Sequence, residues 1–254
     1  MRVMAMATAR LADVAVAVRC ALALHPSDLC SRANVPVAMA AAATPLPQVV
    51  ATLAGPDGGW DYITVDADAG RALVARGLGV SVFDLGTGKA TQILPELKGN
   101  HIALPVNGGK DVLVTTGFTG EAVIADLATG TVRSRVKTGV KPDAAVFDAA
   151  SGLVWVMDNK GGGVALVNPV SGALEGTIAV PGALEFAASD GKGRVYVNVE
   201  DLGEIVAFDA KARKVVGHYK LTGCEEPTGL AYDPDNNRLF AACANKVSAV
   251  VAAD

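Results

Sequence analysis

The sequence predicts an all-β fold assembled from repeated four-stranded antiparallel units, and three observations carry that prediction. A turn motif recurs as Asp84-Leu85-Gly86-Thr87-Gly88, Asp126-Leu127-Ala128-Thr129-Gly130, Asn168-Pro169-Val170-Ser171-Gly172 and a degenerate Asp209-Ala210-Lys211-Ala212-Arg213, at intervals of 42, 42 and 41 residues. A second turn repeats in the same phase at Asp66, Asn107, Asp148, Asp190 and Asp233. Between the turns lie only short apolar runs, such as 144–147, 153–157, 164–167 and 174–180, without the three-and-four spacing of helices. About 40 to 45 residues for four strands joined by tight turns is the size of one blade of a β-propeller.

Taken in order, the first strands of five such units begin near Trp60, His101, Asp143, Glu185 and Thr228, and the fifth unit ends after its third strand at 247–251. Residues 49–53 repeat the fourth-strand pattern of 174–178, and an N-terminal strand of that kind would complete the last blade. Two arrangements therefore stand: a fragment of a larger propeller, open on one side, or a closed five-bladed ring using the strand at 49–53. An open blade edge would be an association liability.

The propeller domain is expected over residues 46–254, and residues 1–45 stand apart. They are rich in Ala, Met and Arg and lack the strand-and-turn rhythm. Their apolar stretch after Arg32 ends in small residues and resembles a secretory core with an Ala-x-Ala cleavage site. The alternative is an unstructured or misassigned leader. No apolar run reaches the roughly 18 to 20 residues of a spanning helix, so no membrane span is expected. The chain is 51% hydrophobic, enough for a core, and its 22 basic and 26 acidic residues leave a net charge of -4. With no run of five basic residues, nothing in the charge asks for a nucleic acid.

Two local features need a reading. The stretch Val82-Phe83-Asp84-Leu85-Gly86-Thr87-Gly88-Lys89-Ala90 looks like a phosphate loop, but the required first Gly is Phe83 and the metal-holding hydroxyl is Ala90. It reads instead as a turn: Asp84 accepts from backbone N-H groups just ahead, and Gly88 supplies a positive φ. Cys224 and Cys243 flank a hairpin centred near Asp233, which would place them on neighbouring strands within reach of a disulfide. A pair of reduced core cysteines is the alternative, and a metal pair lacks neighbouring ligands. A disulfide would imply an oxidising compartment.

Each second strand carries a related tetrapeptide: Leu73-Val74-Ala75-Arg76, Leu113-Val114-Thr115-Thr116, Trp155-Val156-Met157-Asp158, Tyr196-Val197-Asn198-Val199 and Phe240-Ala241-Ala242-Cys243. With the following strand and the Thr-Gly turn, these resemble the YVTN-type β-propeller repeats of YncE-like proteins. None of the five matches Tyr-Val-Thr-Asn in full. The resemblance covers residues 46–254 and implies an exported, periplasmic or extracellular seven-bladed propeller without a common enzymatic reaction. Seven blades would need about 290 residues and the chain has 254, so the resemblance favours a fragment of a seven-bladed propeller over the closed five-bladed ring. A related propeller forms part of some periplasmic redox enzymes, and some members resemble single-stranded DNA binders, a role that would need clustered Lys or Arg.

Ligands of propellers bind where loops lead into the innermost strands. That places Trp60, Asp61, His101, Asp143, Glu185 and Glu226 at the channel mouth as candidate ligand-binding residues. The loops after the second strands, with Arg76, Phe118, Asn159, Glu200, Asp201 and the further candidate Asn245, open on the same face as its rim. Acids with one His converging on an axis suit a cation, an amine or a sugar. Taken singly, each is also an ordinary turn cap. No nucleophile elbow and no triad are present, so no catalytic residue and no cofactor are expected, although a divalent cation would fit. Three functions follow: a non-catalytic binding or scaffold module for a ligand or partner protein, a metal-dependent lactonase using Asp61, Asp143 and Glu185, and the propeller of a periplasmic redox assembly.

Overall fold

The computed structural model describes residues 49–253; the leader expected at 1–45 lies outside the described residues. The chain divides into Ala54–Asp254, which carries every strand, and Arg2–Leu53, of which only 49–53 are described.

Nineteen strands and no helix occur among the described residues. The first blade holds β1 (Trp60–Asp66), β2 (Arg71–Arg76), β3 (Leu78–Asp84) and β4 (Ala90–Lys98). The second holds β5 (Asn100–Val106), β6 (Asp111–Thr116), β7 (Glu121–Asp126) and β8 (Val132–Lys137). The third holds β9 (Pro142–Asp148), β10 (Leu153–Asp158), β11 (Gly163–Val167) and β12 (Leu174–Ala179). The fourth holds β13 (Leu184–Ser189), β14 (Arg194–Val199), β15 (Glu204–Asp209) and β16 (Lys214–Lys220). The fifth has three strands, β17 (Pro227–Asp233), β18 (Arg238–Cys243) and β19 (Ser248–Ala252). Every sheet is an antiparallel meander in chain order, as the repeat predicts.

The recurring motif is the turn from third to fourth strand. The Asp84 carboxylate accepts from Thr87 N at 2.7 Å and Thr87 Oγ1 at 2.9 Å, and Gly88 has φ 71°. The backbone hydrogen bond from Thr87 leads the causes that hold the Asp84 carboxyl below its usual range. Asp126 repeats the geometry with Thr129, and Asn168 with Ser171. In the degenerate copy Arg213 occupies the left-handed region at φ 53° where the others place Gly.

Four apolar cores lie between consecutive blades, and the period-2 alternation of the second strands explains them. In β10, Leu153, Trp155 and Met157 face the fourth blade, where they meet Val195, Val197 and Phe208. Val154 and Val156 point the other way, toward Leu113 and Ile124 of the second blade. A strand buried on both faces reads as a nearly continuous apolar run, and all six residues of β10 are buried, with Asp158 at its end the one charged residue.

The inner strands pack in series, β1 on β5, β5 on β9, β9 on β13 and β13 on β17, without comparable packing of β17 on β1. Residues 49–53 form no strand, and β19 ends its sheet. The alternative of a closed five-bladed ring using a strand at 49–53 is thus not formed among the described residues. An alternating apolar pentapeptide encodes a strand edge but not which edge it pairs with. The fifth blade is accordingly packed on one face only: Leu239, Ala241 and Cys243 are buried against the fourth blade, while Phe240 and Val250 are exposed.

Cys224 and Cys243 form the disulfide, with Cα atoms 5.4 Å apart. The register, however, pairs Cys243 with Pro227, so the hairpin centre lies beyond Asp233. Cys224 reaches its partner from the loop before β17, where its N-H donates to Leu221 O at 3.2 Å. The bond joins loop to strand, not two directly opposed strand residues.

Candidate functional site at the inner-strand mouth

Asp61, His101, Asp143 and Glu185 are each the second residue of an innermost strand, in β1, β5, β9 and β13. The fifth equivalent is Thr228 of β17. A β-bulge recurs at this point in all five blades: the register slips between Trp60 and Ile63, Asn100 and Ala103, Pro142 and Ala145, Leu184 and Ala187, and Pro227 and Gly229. One extra residue on the inner strand re-aims the side chains there and raises the local twist.

The four predicted residues join one polar network. His101 Nδ1 lies 2.8 Å from Asp61 Oδ2 and 3.5 Å from Asp143 Oδ1. The other oxygen of Asp143 faces Lys141 Nζ at 3.0 Å. Lys141 also donates to Asn159 Oδ1 at 3.3 Å, and Asn159 Nδ2 donates to Glu185 Oε1 at 2.7 Å. Tyr62 OH closes the chain with a 2.7 Å hydrogen bond to Glu185 Oε2, its ring 4.9 Å from that of Phe186. Lys141 and Tyr62 complete the site although sequence patterning does not assign them to it, and Asn159 enters it from the rim after the third blade's second strand. Tyr62 sits beside Asp61 in a bulged strand, where simple alternation no longer tells which way a side chain points.

The electrostatics follow from burial and pairing. The hydrogen bond to Asp61 raises the His101 pKa, with the Asp143 charge adding to it and burial opposing. Burial works against the Lys141 charge, but the hydrogen bond and charge of Asp143 outweigh it and the net shift is upward. Burial, and then the hydrogen bond to Glu185, push the Tyr62 hydroxyl far up, so it stays a phenol donor. Burial raises Glu185 to about 7, against the lowering effect of the Tyr62 hydrogen bond.

These shifts have one sign. Glu185 in the folded chain takes up a proton that the unfolded chain holds only near its ordinary 4.5, so its contribution to stability falls as pH rises from about 4.5 to about 7. The His101 contribution is present below its ordinary 6.5 and is lost as pH climbs through the raised value. Glu185→Gln keeps the shape and removes the titration. Chemical denaturation from pH 5 to pH 8 should show a flatter stability profile for this variant than for the wild type; identical slopes would contradict the shift.

The mouth is braced by a second recurring device, a side chain at or just past the end of each second strand that grips the loop entering the same blade. Asp158 accepts from Val140 N at 2.7 Å and Lys141 N at 2.8 Å, which sets the backbone that carries Lys141. Arg76 donates to Pro56 O, Thr116 to Lys98 O, and Asp201 accepts from Ala183 N. Asn245 belongs to this series: its amide donates to Gly223 O at 3.0 Å and accepts from Glu225 N at 3.4 Å. It holds a loop and is not among the residues of the network. Trp60 and Glu226 are exposed and also stand outside it, Glu226 with φ 47° in the loop before β17.

Gly117 shapes the imidazole's surroundings, because a Cβ there would stand 2.7 Å from His101 Nε2. Gly117→Ala should therefore displace the ring and shift the His101 NMR resonances while leaving those of His218, which pairs with Glu204 in the outer strands, in place. Unmoved His101 signals would contradict the described packing.

No protein-family profile and no curated protein match the chain. Solved structures do. A chain of hydrazine synthase from Kuenenia stuttgartiensis aligns with TM-score 0.66 and 13% identity over 72% of this chain and 55% of that one. A protein of unknown function from Bacteroides caccae aligns with TM-score 0.61 and 15% identity, covering 82% of this chain and 83% of its own. The fold is that of a β-propeller. This chain spans about half the length of the hydrazine synthase chain, 55%, and at such identities the likeness concerns fold alone.

Proposed function

We propose that the chain is an exported propeller module of the YVTN type that binds a small polar ligand or a partner protein at the inner-strand mouth without transforming it. The observation that carries this is the convergence of Asp61, His101, Asp143 and Glu185 from four blades into one hydrogen-bonded network. A stack of turn caps would bond to its own backbone; these side chains bond to one another across blades. The disulfide supports export to an oxidising compartment such as the periplasm. Among the described residues no helix is long and apolar enough to cross a membrane.

The lactonase alternative has less support: both oxygens of Glu185 accept hydrogen bonds, from Tyr62 and Asn159, and the ligand atoms that cluster within 4.8 Å belong to Asp61, His101 and Asp143. A second reading, the propeller of a redox assembly, draws on the fold likeness to hydrazine synthase, and recovery of a haem or copper protein with the native chain would support it. The primary reading is tested by thermal-shift titration of the full chain with amines and sugars, repeated on Asp143→Asn and Glu185→Gln. A shift lost in both variants, with no lactone or ester turnover, is the expected result. A shift that survives both, or measurable turnover, would overturn it.

A further inference from the structure

We infer that Asp61, His101 and Asp143 hold one divalent first-row transition metal, with Zn2+ the closest match; this rests on reading the mouth as a ligand site. Each residue offers one ligand atom from a different blade, and the three atoms lie within 4.8 Å of one another. With metal bonds of about 2.0 to 2.2 Å, ligand atoms around a tetrahedral ion stand roughly 3.3 to 3.6 Å apart. His101 Nδ1 is already 2.8 Å from one carboxylate oxygen and 3.5 Å from the other, so small movements of Asp61 suffice. Asp61 is the partner able to move, with a side chain 41% exposed against 6% for Asp143.

The arrangement has the second layer that metal sites use. Lys141 holds the far oxygen of Asp143 at 3.0 Å, leaving the near oxygen directed at His101, and Asp158 in turn fixes the Lys141 backbone. Gly117 leaves room for the far edge of the imidazole, where a Cβ would stand 2.7 Å from Nε2. Two carboxylates facing a single ring nitrogen form a place for positive charge: a proton on Nδ1 serves when no metal is present, and a dication replaces that proton when one binds. The imidazole selects the metal class, because Ca2+ and Mg2+ prefer all-oxygen sites while nitrogen with carboxylate suits Zn2+. Three protein donors leave the remaining coordination positions to water or to an oxygen or nitrogen of a ligand, which would make the ion the ligand's anchor.

The test uses the full chain, stripped with chelator and titrated with Zn2+ and with Ca2+ by calorimetry. One Zn2+ per chain is expected, with affinity at least tenfold weaker in His101→Gln and in Asp143→Asn. Thermal unfolding of each variant checks its fold. Independently of the variants, Zn2+ should move the imidazole nitrogen resonances of His101 in the wild type and spare those of His218. Absence of Zn2+ binding, binding unchanged in both variants, an unmoved His101, or Ca2+ bound as tightly as Zn2+ would each overturn the site. An amine or sugar that binds through Asp143 in a chain that takes no Zn2+ would defeat this inference alone; lactone turnover by the Zn2+-loaded chain would defeat the non-catalytic reading alone.

Discussion

Trp155→Ala is expected to lower the free energy of unfolding by about 3 to 5 kcal/mol, the range for emptying a fully buried large aromatic site. Trp155 is wholly buried in the centre of β10 and packs on the fourth blade, its ring 5.5 Å from that of Phe208 in an edge-to-face arrangement. Its indole N-H donates to Ser151 Oγ at 3.3 Å, so the polar end is satisfied as well. The cost is large because the surroundings relax only in part: Met157, Val195, Val197 and Val206 are carried on two hydrogen-bonded sheets that close on the void only by moving as whole blades. Trp155→Phe should cost less, since it leaves an aromatic ring against Phe208 and a smaller void. Guanidinium denaturation of the full chain checks both, through a displaced midpoint at unchanged slope. A loss below about 1 kcal/mol for the alanine variant would mean that the third and fourth blades do not interlock as described.

The parts of this fold that were legible in the sequence are those written in local chemistry. The Asp-x-x-Thr-Gly turn is a self-contained set of hydrogen bonds, so its spacing marked the blades, and the runs at 153–157 and 164–167 fall within β10 and β11. Asp61, His101, Asp143 and Glu185 were legible for a related reason: they share one position in the repeat. What chose their partners was not. Lys141 enters through the grip of Asp158 on a loop 17 to 18 residues earlier, and Tyr62 through a bulge, neither of which leaves a periodic trace. Asn245 looked like a mouth residue because it follows a second strand, but that place in the repeat is used for bracing. The strand expected at 49–53 failed for want of a partner-specific signal, since its alternation suits any free edge.

Removing the disulfide should weaken the chain by about 3 kcal/mol, the loop-entropy value for a closure of some 20 residues. Cys224 and Cys243 are 19 residues apart, and both are buried in the core between the fourth and fifth blades. The effect should be felt first in the fifth blade, which has three strands and one packed face while the fourth has four strands and two packed faces. There the bond ties the loop after Leu221 to the end of β18, with the hydrogen bonds from Asn198 Nδ2 to Gly229 O at 2.9 Å and from Tyr196 OH to Ala253 O at 3.2 Å as further tethers between the blades. The double variant Cys224→Ala with Cys243→Ala leaves no thiol in that core, so its loss can be compared directly with reduction of the wild type. Both should show early hydrogen exchange in β17 to β19 while β5 to β11 stay protected, and dithiothreitol should destabilise the wild type but not the variant. Uniform loss of protection across all five blades would instead mean that the propeller unfolds as a single cooperative unit, with the fifth blade no weaker than the rest.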